Sequence, residues 1–435
     1  MKLKDHTIRM ILLILSLNQT TNLFASENLT NPNPDHDLLT SSQLVADVLA
    51  ANPQLEVAKA TWQASIARIA QQSSLDDPML VYSMAPATIG NQKTDYGQRI
   101  EISQTLPWPG KLQLRSEVAS HKADAVNQNI DSLRLRLSAI AKTLFADWYY
   151  IHQAIHINQI NQSLLKDFRA IAVSRYSTGL ASKQDALRAD VEVALLEHQA
   201  IVLERKHRSI RAHINTLLNK LPDGMIDLPA VLSQLEPLPD LKSLQDKALL
   251  TRPELKALTA HVEAAKSQSE LALKNNYPDI NLKAGYNSLW ENHDKHFTVG
   301  IGINLPIYQD KHRAAENEAL ALRKQAEWSK VDFVAQIRKE VQQAYDRAEE
   351  SMHVYSLYKN RLLPLARENL DAATADYQSG KGDFLTLISS EKNWMQTQLQ
   401  LQQTLTDSHR RIAELESAVG ELKPLFASTH SRVAP

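Results

Sequence analysis

The sequence predicts a mainly α protein with a transmembrane β-barrel portion, built from a duplicated helix-strand-strand-helix-helix unit with four strands per chain. Three observations predict it. Only 11 of the 435 residues are glycine, about a third of the usual share, so turns are few and helices long. Landmark residues recur about 200 positions apart. Between the helical stretches lie short segments alternating apolar and polar residues, the period-two pattern of strands with one apolar face.

The repeat is read from Asn52-Pro53-Gln54-Leu55 against Arg252-Pro253-Glu254-Leu255, 200 positions on. Pro78 pairs with Pro278 and Lys111 with Lys311 at the same offset, Leu106-Pro107 with Leu305-Pro306 at 199, and Tyr176-x-x-Gly179 with Tyr377-x-x-Gly380 at 201. Single matches of this kind arise by chance, whereas several in one register indicate a duplicated unit.

Each unit starts with a stretch of helical spacing, 41–75 in the first, which stops at Asp76-Asp77-Pro78. Strands follow. In the second unit Ile280, Leu282, Ala284 and Tyr286 alternate with polar or small residues, as do Phe297, Val299, Ile301, Ile303 and Leu305. In the first, Met79 to Ala85 and then Ile100 and Ile102 repeat the pattern less cleanly. Runs of about 65 residues without glycine come next, Lys111 to Arg175 and His312 to Asp376. At 1.5 Å per residue each is about 100 Å of helix, wider than a compact core. Pro364 lies inside the second run, where its missing backbone donor predicts a local bend. Glycine-bearing turns at Tyr176–Ser182 and Tyr377–Asp383 end the runs, and helices return along 183–220 and 384–420.

Composition and termini bound the function. The chain has no cysteine and a formal net charge of -1, which excludes a disulfide or thiolate-metal scaffold and leaves no basic footprint for nucleic acid. Lys2, Lys4 and Arg9, the apolar Met10–Leu17 and Leu23-Phe24-Ala25 read as an export signal over 1–25. The expected division is then an N-terminal linker at 26–40, a first repeat at 41–220 with strands near 79–86 and 96–106, and an inter-repeat linker at 221–240. A second repeat at 241–420, with strands near 279–289 and 297–305, precedes a tail at 421–435. Strands of this length suit a membrane barrel, but four cannot close one, because an open edge in lipid leaves backbone groups unpaired. Several copies must share the barrel, two giving 8 strands and three giving 12. The same assembly would bring the long helices together as a coiled-coil wall.

The segment Gln104-Thr105-Leu106-Pro107-Trp108-Pro109-Gly110-Lys111 closely resembles the stretch after the second strand in the cation-efflux branch of the TolC outer-membrane factors, the CzcC- and CusC-like proteins. The duplicated plan, Tyr-x-x-Gly at both hairpin tips and Leu305-Pro306-Ile307-Tyr308 are similar to the same family, over roughly 41–420. The resemblance implies a homotrimer in the outer membrane, in contact with its lipid, with a 12-stranded barrel continuing into a periplasmic tunnel of antiparallel helices. It also implies docking on a periplasmic adaptor protein and an inner-membrane pump of RND type. Such a channel conducts passively, so neither catalysis nor a cofactor is expected.

Candidate residues follow, each with a structural alternative. Thr178-Gly179-Leu180 and Ser379-Gly380-Lys381 resemble the tip motif against which adaptors pack, although glycine at a helix C-terminus also serves simply to adopt a positive φ. Where related proteins narrow the entrance with acidic residues, this chain has Thr386 and Ser389. Asp185, Asp383 and Glu391 are nearby carboxylates that would form an acidic ring in a trimer, and Asp383 alternatively caps the returning helix. Pro107-Trp108-Pro109-Gly110 marks the change from strand to helix, where an aromatic residue suits the membrane edge or simply packs under a rigid turn. His152 with His156, and His293 with His296, are pairs rather than metal sites, which normally need three or four ligands. Segments 87–95 and 290–295 are expected on the outer face. Gly300-Ile301-Gly302 lacks the third glycine of a dinucleotide loop, Gly380-Lys381 lacks the upstream glycine of a P-loop, and no hydrolase motif is present. Heavy-metal cations are the expected cargo. Drugs or polypeptides on the same scaffold, or a non-channel periplasmic coiled-coil scaffold, are the alternatives.

Overall fold

A computed structural model describes residues 38–86, 89–90, 97–288 and 296–421. The expected export signal, the two expected outer-face segments save Ile89 and Gly90, His293, and the tail beyond Glu421 lie outside the described residues.

The first unit opens with α1 (Ser41–Ala51) and α2 (Pro53–Ser73). The helical spacing over 41–75 predicts one helix, but the stretch forms two. Pro53 disfavours helical backbone at the preceding residue, and Asn52 is extended at φ -74° and ψ 121°. Asn52 then serves both neighbours: its side chain caps α2 by accepting from the Gln54 N–H at 3.0 Å and donates to the Leu217 carbonyl at 3.0 Å. The second unit breaks at the matching place, between α5 (Leu241–Thr251) and α6 (Pro253–Lys274). There Arg252 replaces Asn52 and ties the break to Glu340 at 3.1 Å and the Ala418 carbonyl at 2.9 Å.

Four strands, β1 (Met79–Met84), β2 (Gln98–Leu106), β3 (Ile280–Asn287) and β4 (Phe297–Ile303), form one antiparallel sheet in that order. The two hairpins of the repeats join through β2 and β3, with Glu101 opposite Gly285. Register puts Leu80, Ile102, Ala284 and Val299 in one row, and Tyr82, Ile100, Tyr286 and Phe297 in the next, on a single apolar face. The other face carries Arg99, Glu101, Ser103, Asn281, Lys283 and Thr298. Val299 and Ile301 are 88% and 76% exposed, so the apolar face is uncovered within one chain.

From the sheet, α3 (Lys111–Ser177) runs 67 residues without interruption, about 100 Å at the helical rise. α4 (Lys183–Leu217) returns beside it. Its counterpart is divided into α7 (Gln309–Leu357), a π-helical turn at Tyr358–Leu362, and α8 (Leu363–Ser379), with α9 (Phe384–Val419) returning. Pro364 sits in the first turn of α8, and the widened turn before it accommodates the ring and the missing donor. The bend expected at Pro364 thus takes the form of a π turn just upstream.

α3 packs against α2, α4, α6 and α9, while α7 packs against α5, α6 and α9. Three apolar clusters hold these helices. One joins α1, α3 and α4 around Trp148, whose indole donates to the Asp227 carbonyl at 3.0 Å and so pins the inter-repeat linker. A second, around Ile337, Val341 and Leu415, joins α5, α7 and α9. The third, around Phe168, Leu370 and Phe384, lies toward the helical tips. Among the described residues no helix is long and apolar enough to cross a membrane.

Candidate functional site at the helical tips

Both tips are built by left-handed glycines. Gly179 has φ 76° and Gly380 φ 81°, the conformation that lets the chain leave a helix while later amides satisfy its last carbonyls. The Leu180 N–H reaches the Arg175 carbonyl at 2.8 Å, and the Lys381 and Gly382 N–H groups reach the Asp376 carbonyl at 2.9 and 3.0 Å. Thr178, Gly179, Leu180, Ser379, Gly380 and Lys381 are all exposed, and Leu180 leaves 69% of an apolar side chain to solvent. The structural role of the glycines thus leaves both tips exposed.

A contact not anticipated from sequence joins the two tips. Arg175, at the end of α3, donates to the carbonyls of Tyr377 and Gln378 at 2.6 and 3.1 Å, with its guanidinium 4.9 Å above the Tyr377 ring. Tyr377 is buried and packs at 5.3 Å on Phe384, the first residue of α9. Burial pushes the Tyr377 phenol above its ordinary value, and the facing Asp185 carboxylate adds to this while Arg175 opposes it. Arg175, Leu180, Asp185, Arg188, Tyr377 and Asp383 line a cavity of about 330 Å³ between the tips. The matching Tyr-x-x-Gly tyrosines were the available signal, but Tyr176 is 49% exposed whereas Tyr377 is buried. The duplication has been used asymmetrically.

The carboxylates near the tips have different tasks. Asp383 caps α9, accepting from the Thr386 N–H at 2.7 Å and its hydroxyl at 3.1 Å. These hydrogen bonds hold its carboxyl below the usual range. Asp383, Thr386 and Ser389 are all exposed at the start of α9, so capping leaves this edge open to solvent. Asp185 is half-buried at the tip contact. Glu391 departs from the expectation that it helps line the entrance: it is 3% exposed, and its Oε1 has no hydrogen-bond partner. Burial first, and then the Glu192 charge, raise its carboxyl to about 7 against the opposing Lys392.

At the other end of α3, Pro107-Trp108-Pro109-Gly110 makes the turn from sheet to helix, with Gly110 at φ 90°. The Trp108 ring stacks on Tyr277 at 5.3 Å, and the Trp108 backbone N–H donates to Asp279 Oδ1 at 2.9 Å. The same carboxylate pairs at 2.7 Å with Lys111, whose side chain is 3% exposed. The packing role expected for Trp108 is therefore present, joined to a buried ion pair between the two repeats.

His152 groups not with His156 but with Trp148 and His207, at ring-centroid distances of 4.5 and 5.1 Å. Burial lowers the affinity of both imidazoles for protons. No cluster of three or more potential metal ligands exists among the described residues.

The profile of the family described as Outer membrane efflux protein matches residues 244–421. MdtQ of Shigella flexneri, described as an outer membrane protein, is 25% identical over 286 residues, 60% of this chain and 57% of its own. The cobalt-zinc-cadmium resistance protein CzcC of Cupriavidus metallidurans is 21% identical over 252 residues, 57% of this chain and 59% of its own. The chain thus spans less than two thirds of the length of these two curated relatives. The crystal structure of CusC superposes with a TM-score of 0.75 at 17% identity, covering 88% of this chain and 92% of that one. The sheet of four strands on paired long helices and the glycine-built tips stand beside these matches: residues 244–421 match the outer membrane efflux protein family, and the chain shares the fold of CusC.

Proposed function

We propose that the chain is one subunit of a homotrimeric outer-membrane channel in a tripartite efflux system. It conducts substrate passively from a periplasmic adaptor and an inner-membrane RND-type pump to the cell exterior. The observation that carries this reading is the sheet: four antiparallel strands with one apolar face and one polar face, in which β1 and β4 each pair with a single strand among the described residues. Such a sheet in lipid requires closure with other copies. Three copies would supply 12 strands around an aqueous lumen lined by the polar face.

In this reading Thr178, Gly179, Leu180, Ser379, Gly380 and Lys381 receive the adaptor. Asp185, Asp383, Thr386 and Ser389 border the entrance, with the Arg175–Tyr377 contact holding the two tips of one subunit together. Size-exclusion chromatography with light scattering on detergent-purified protein, followed by planar-bilayer conductance, tests the assembly. A conducting trimer is expected. A species that leaves the membrane on carbonate washing, or a detergent-solubilised protein without conductance, would favour the coiled-coil scaffold.

For the cargo we propose heavy-metal cations, on the Gln104–Lys111 segment and on the cobalt-zinc-cadmium resistance named for CzcC. The multidrug resistance in the name of MdtQ favours a second reading, organic drugs. A deletion strain hypersensitive to cobalt, zinc or cadmium salts supports the first, and one sensitive to dyes and antibiotics alone supports the second.

A further inference from the structure

The polar face of the sheet gathers its charge at one level. Arg99 and Glu101 alternate along β2 on that face, and register puts Lys283 opposite Ser103, one step further along. Arg99 donates to Glu101 Oε2, and Lys283 Nζ lies 3.7 Å from Oε1 of the same carboxylate. The remaining described strand residues on this face are uncharged: Met79, Val81, Ser83, Ser103, Thr105, Asn281, Gly285, Asn287, Thr298, Gly300 and Gly302.

Two details determine what an ion in the lumen meets. Opposite Glu101 stands Gly285, where an added Cβ would lie 2.9 Å from the Ile100 carbonyl oxygen and 3.6 Å from the Glu101 Cβ. The missing side chain leaves Glu101 free to lie along the wall between its two cations. Accordingly the Glu101 side chain is 17% exposed, whereas Arg99 and Lys283 are each 50% exposed. The carboxylate is tucked in and the cations face the water.

Resting on the trimeric-channel reading above, we propose that Arg99, Glu101 and Lys283 set the ion selectivity of the barrel, with Glu101 limiting a bias toward anions. Each subunit contributes two cations and one carboxylate at this level, so the ring carries a positive surplus. Twelve strands about 4.8 Å apart and tilted by about 40° close to a backbone diameter of about 24 Å. Side chains narrow that further, bringing the axis within about one Debye length, roughly 8 Å, of the ring at physiological salt. The wall charge therefore acts across the lumen. A metal cation passes this level down its gradient, without attraction by the barrel.

The test is the reversal potential of the purified full-length protein in planar bilayers across a KCl gradient. Every protein measured carries Arg175→Ala, which removes the tip contact and lessens the tips' control of the current. Glu101→Gln is expected to lower the cation-to-anion permeability ratio about twofold by uncovering two cations. Arg99→Gln with Lys283→Gln is expected to raise it by a similar factor, leaving only the carboxylate. Conductance with an unchanged ratio in both variants, or a shift of the opposite sign in either, overturns this assignment while the channel reading stands. No conductance in the parent overturns both. If Glu101→Gln does not assemble, an unchanged ratio in the double variant overturns the assignment alone.

Discussion

Glu391 is buried near the start of α9, and burial with the Glu192 charge raises its carboxyl from 4.5 to about 7. The sign of its effect follows from the proton count. Between those two values the unfolded chain has released a proton that the folded chain retains, so this contribution to stability is full below about pH 4.5 and fades as pH rises to about 7. The size is about 3 kcal/mol. Glu391→Gln keeps the shape and removes the titration, so the protection factors along α9, exchange corrected for its intrinsic base catalysis, should no longer fall between about pH 5 and 8. A dependence that survives the substitution would assign it elsewhere. The Lys111–Asp279 pair gives a second expectation at this scale. Asp279→Ala leaves the Lys111 ammonium, 3% exposed, without its carboxylate, at a cost of about 3 kcal/mol, whereas Lys111→Met removes the charge and costs less. Thermal dissociation of the assembly compares the two. Lys111 was legible as a repeat landmark opposite Lys311, but its partner was not. Asp279 aligns with Met79 of the first unit, and Lys311 is exposed, so the ion pair exists in one half only and no repeat pattern announces it.

Helices and strands were legible where the physics is local. Glycine-free runs gave α3, alternation gave the four strands, and Tyr-x-x-Gly gave both tips. Prolines were read less completely. Pro364 announced a disturbance, but not that a π turn would absorb it, and the helical spacing over 41–75 hides the break at Asn52-Pro53 that the pre-proline preference imposes. The contact between tips was hidden for a different reason: Arg175 and Tyr377 are far apart in sequence and meet only because α3 and α8 end at the same place. Each tip folds back on its own helix end, the Leu180 N–H reaching the Arg175 carbonyl and the Lys381 and Gly382 N–H groups the Asp376 carbonyl, so the link between them is separable from these turns. Arg175→Ala should therefore leave helicity unchanged by circular dichroism. It should raise the open-to-closed ratio in single-channel recordings about tenfold, in line with the ~1.5–3 kcal/mol of charge-assisted hydrogen bonds. A loss of helicity with no change in gating would reassign Arg175 to tip folding.

For the whole molecule, the consequence that separates a shared barrel from any soluble arrangement is that the two faces of one strand should respond oppositely to charge. Ile301 belongs to the apolar face and Thr298 to the polar face of β4, three positions apart on the same strand. In a barrel, lysine at Ile301 places an ammonium against lipid, costing about 2–4 kcal/mol per subunit at mid-membrane depth. Because closure needs every copy, the penalty falls on each subunit of the assembly. Ile301→Lys should thus abolish the heat-modifiable oligomer on gels and its recovery from membranes. Thr298→Lys should assemble, with its added charge read only as a shift in ion selectivity. In a water-facing sheet of a periplasmic scaffold both faces would be solvated, and the two lysines would be tolerated alike. Equal tolerance would therefore remove the barrel, and an effect at Ile301 alone would exclude the scaffold without reference to any relative.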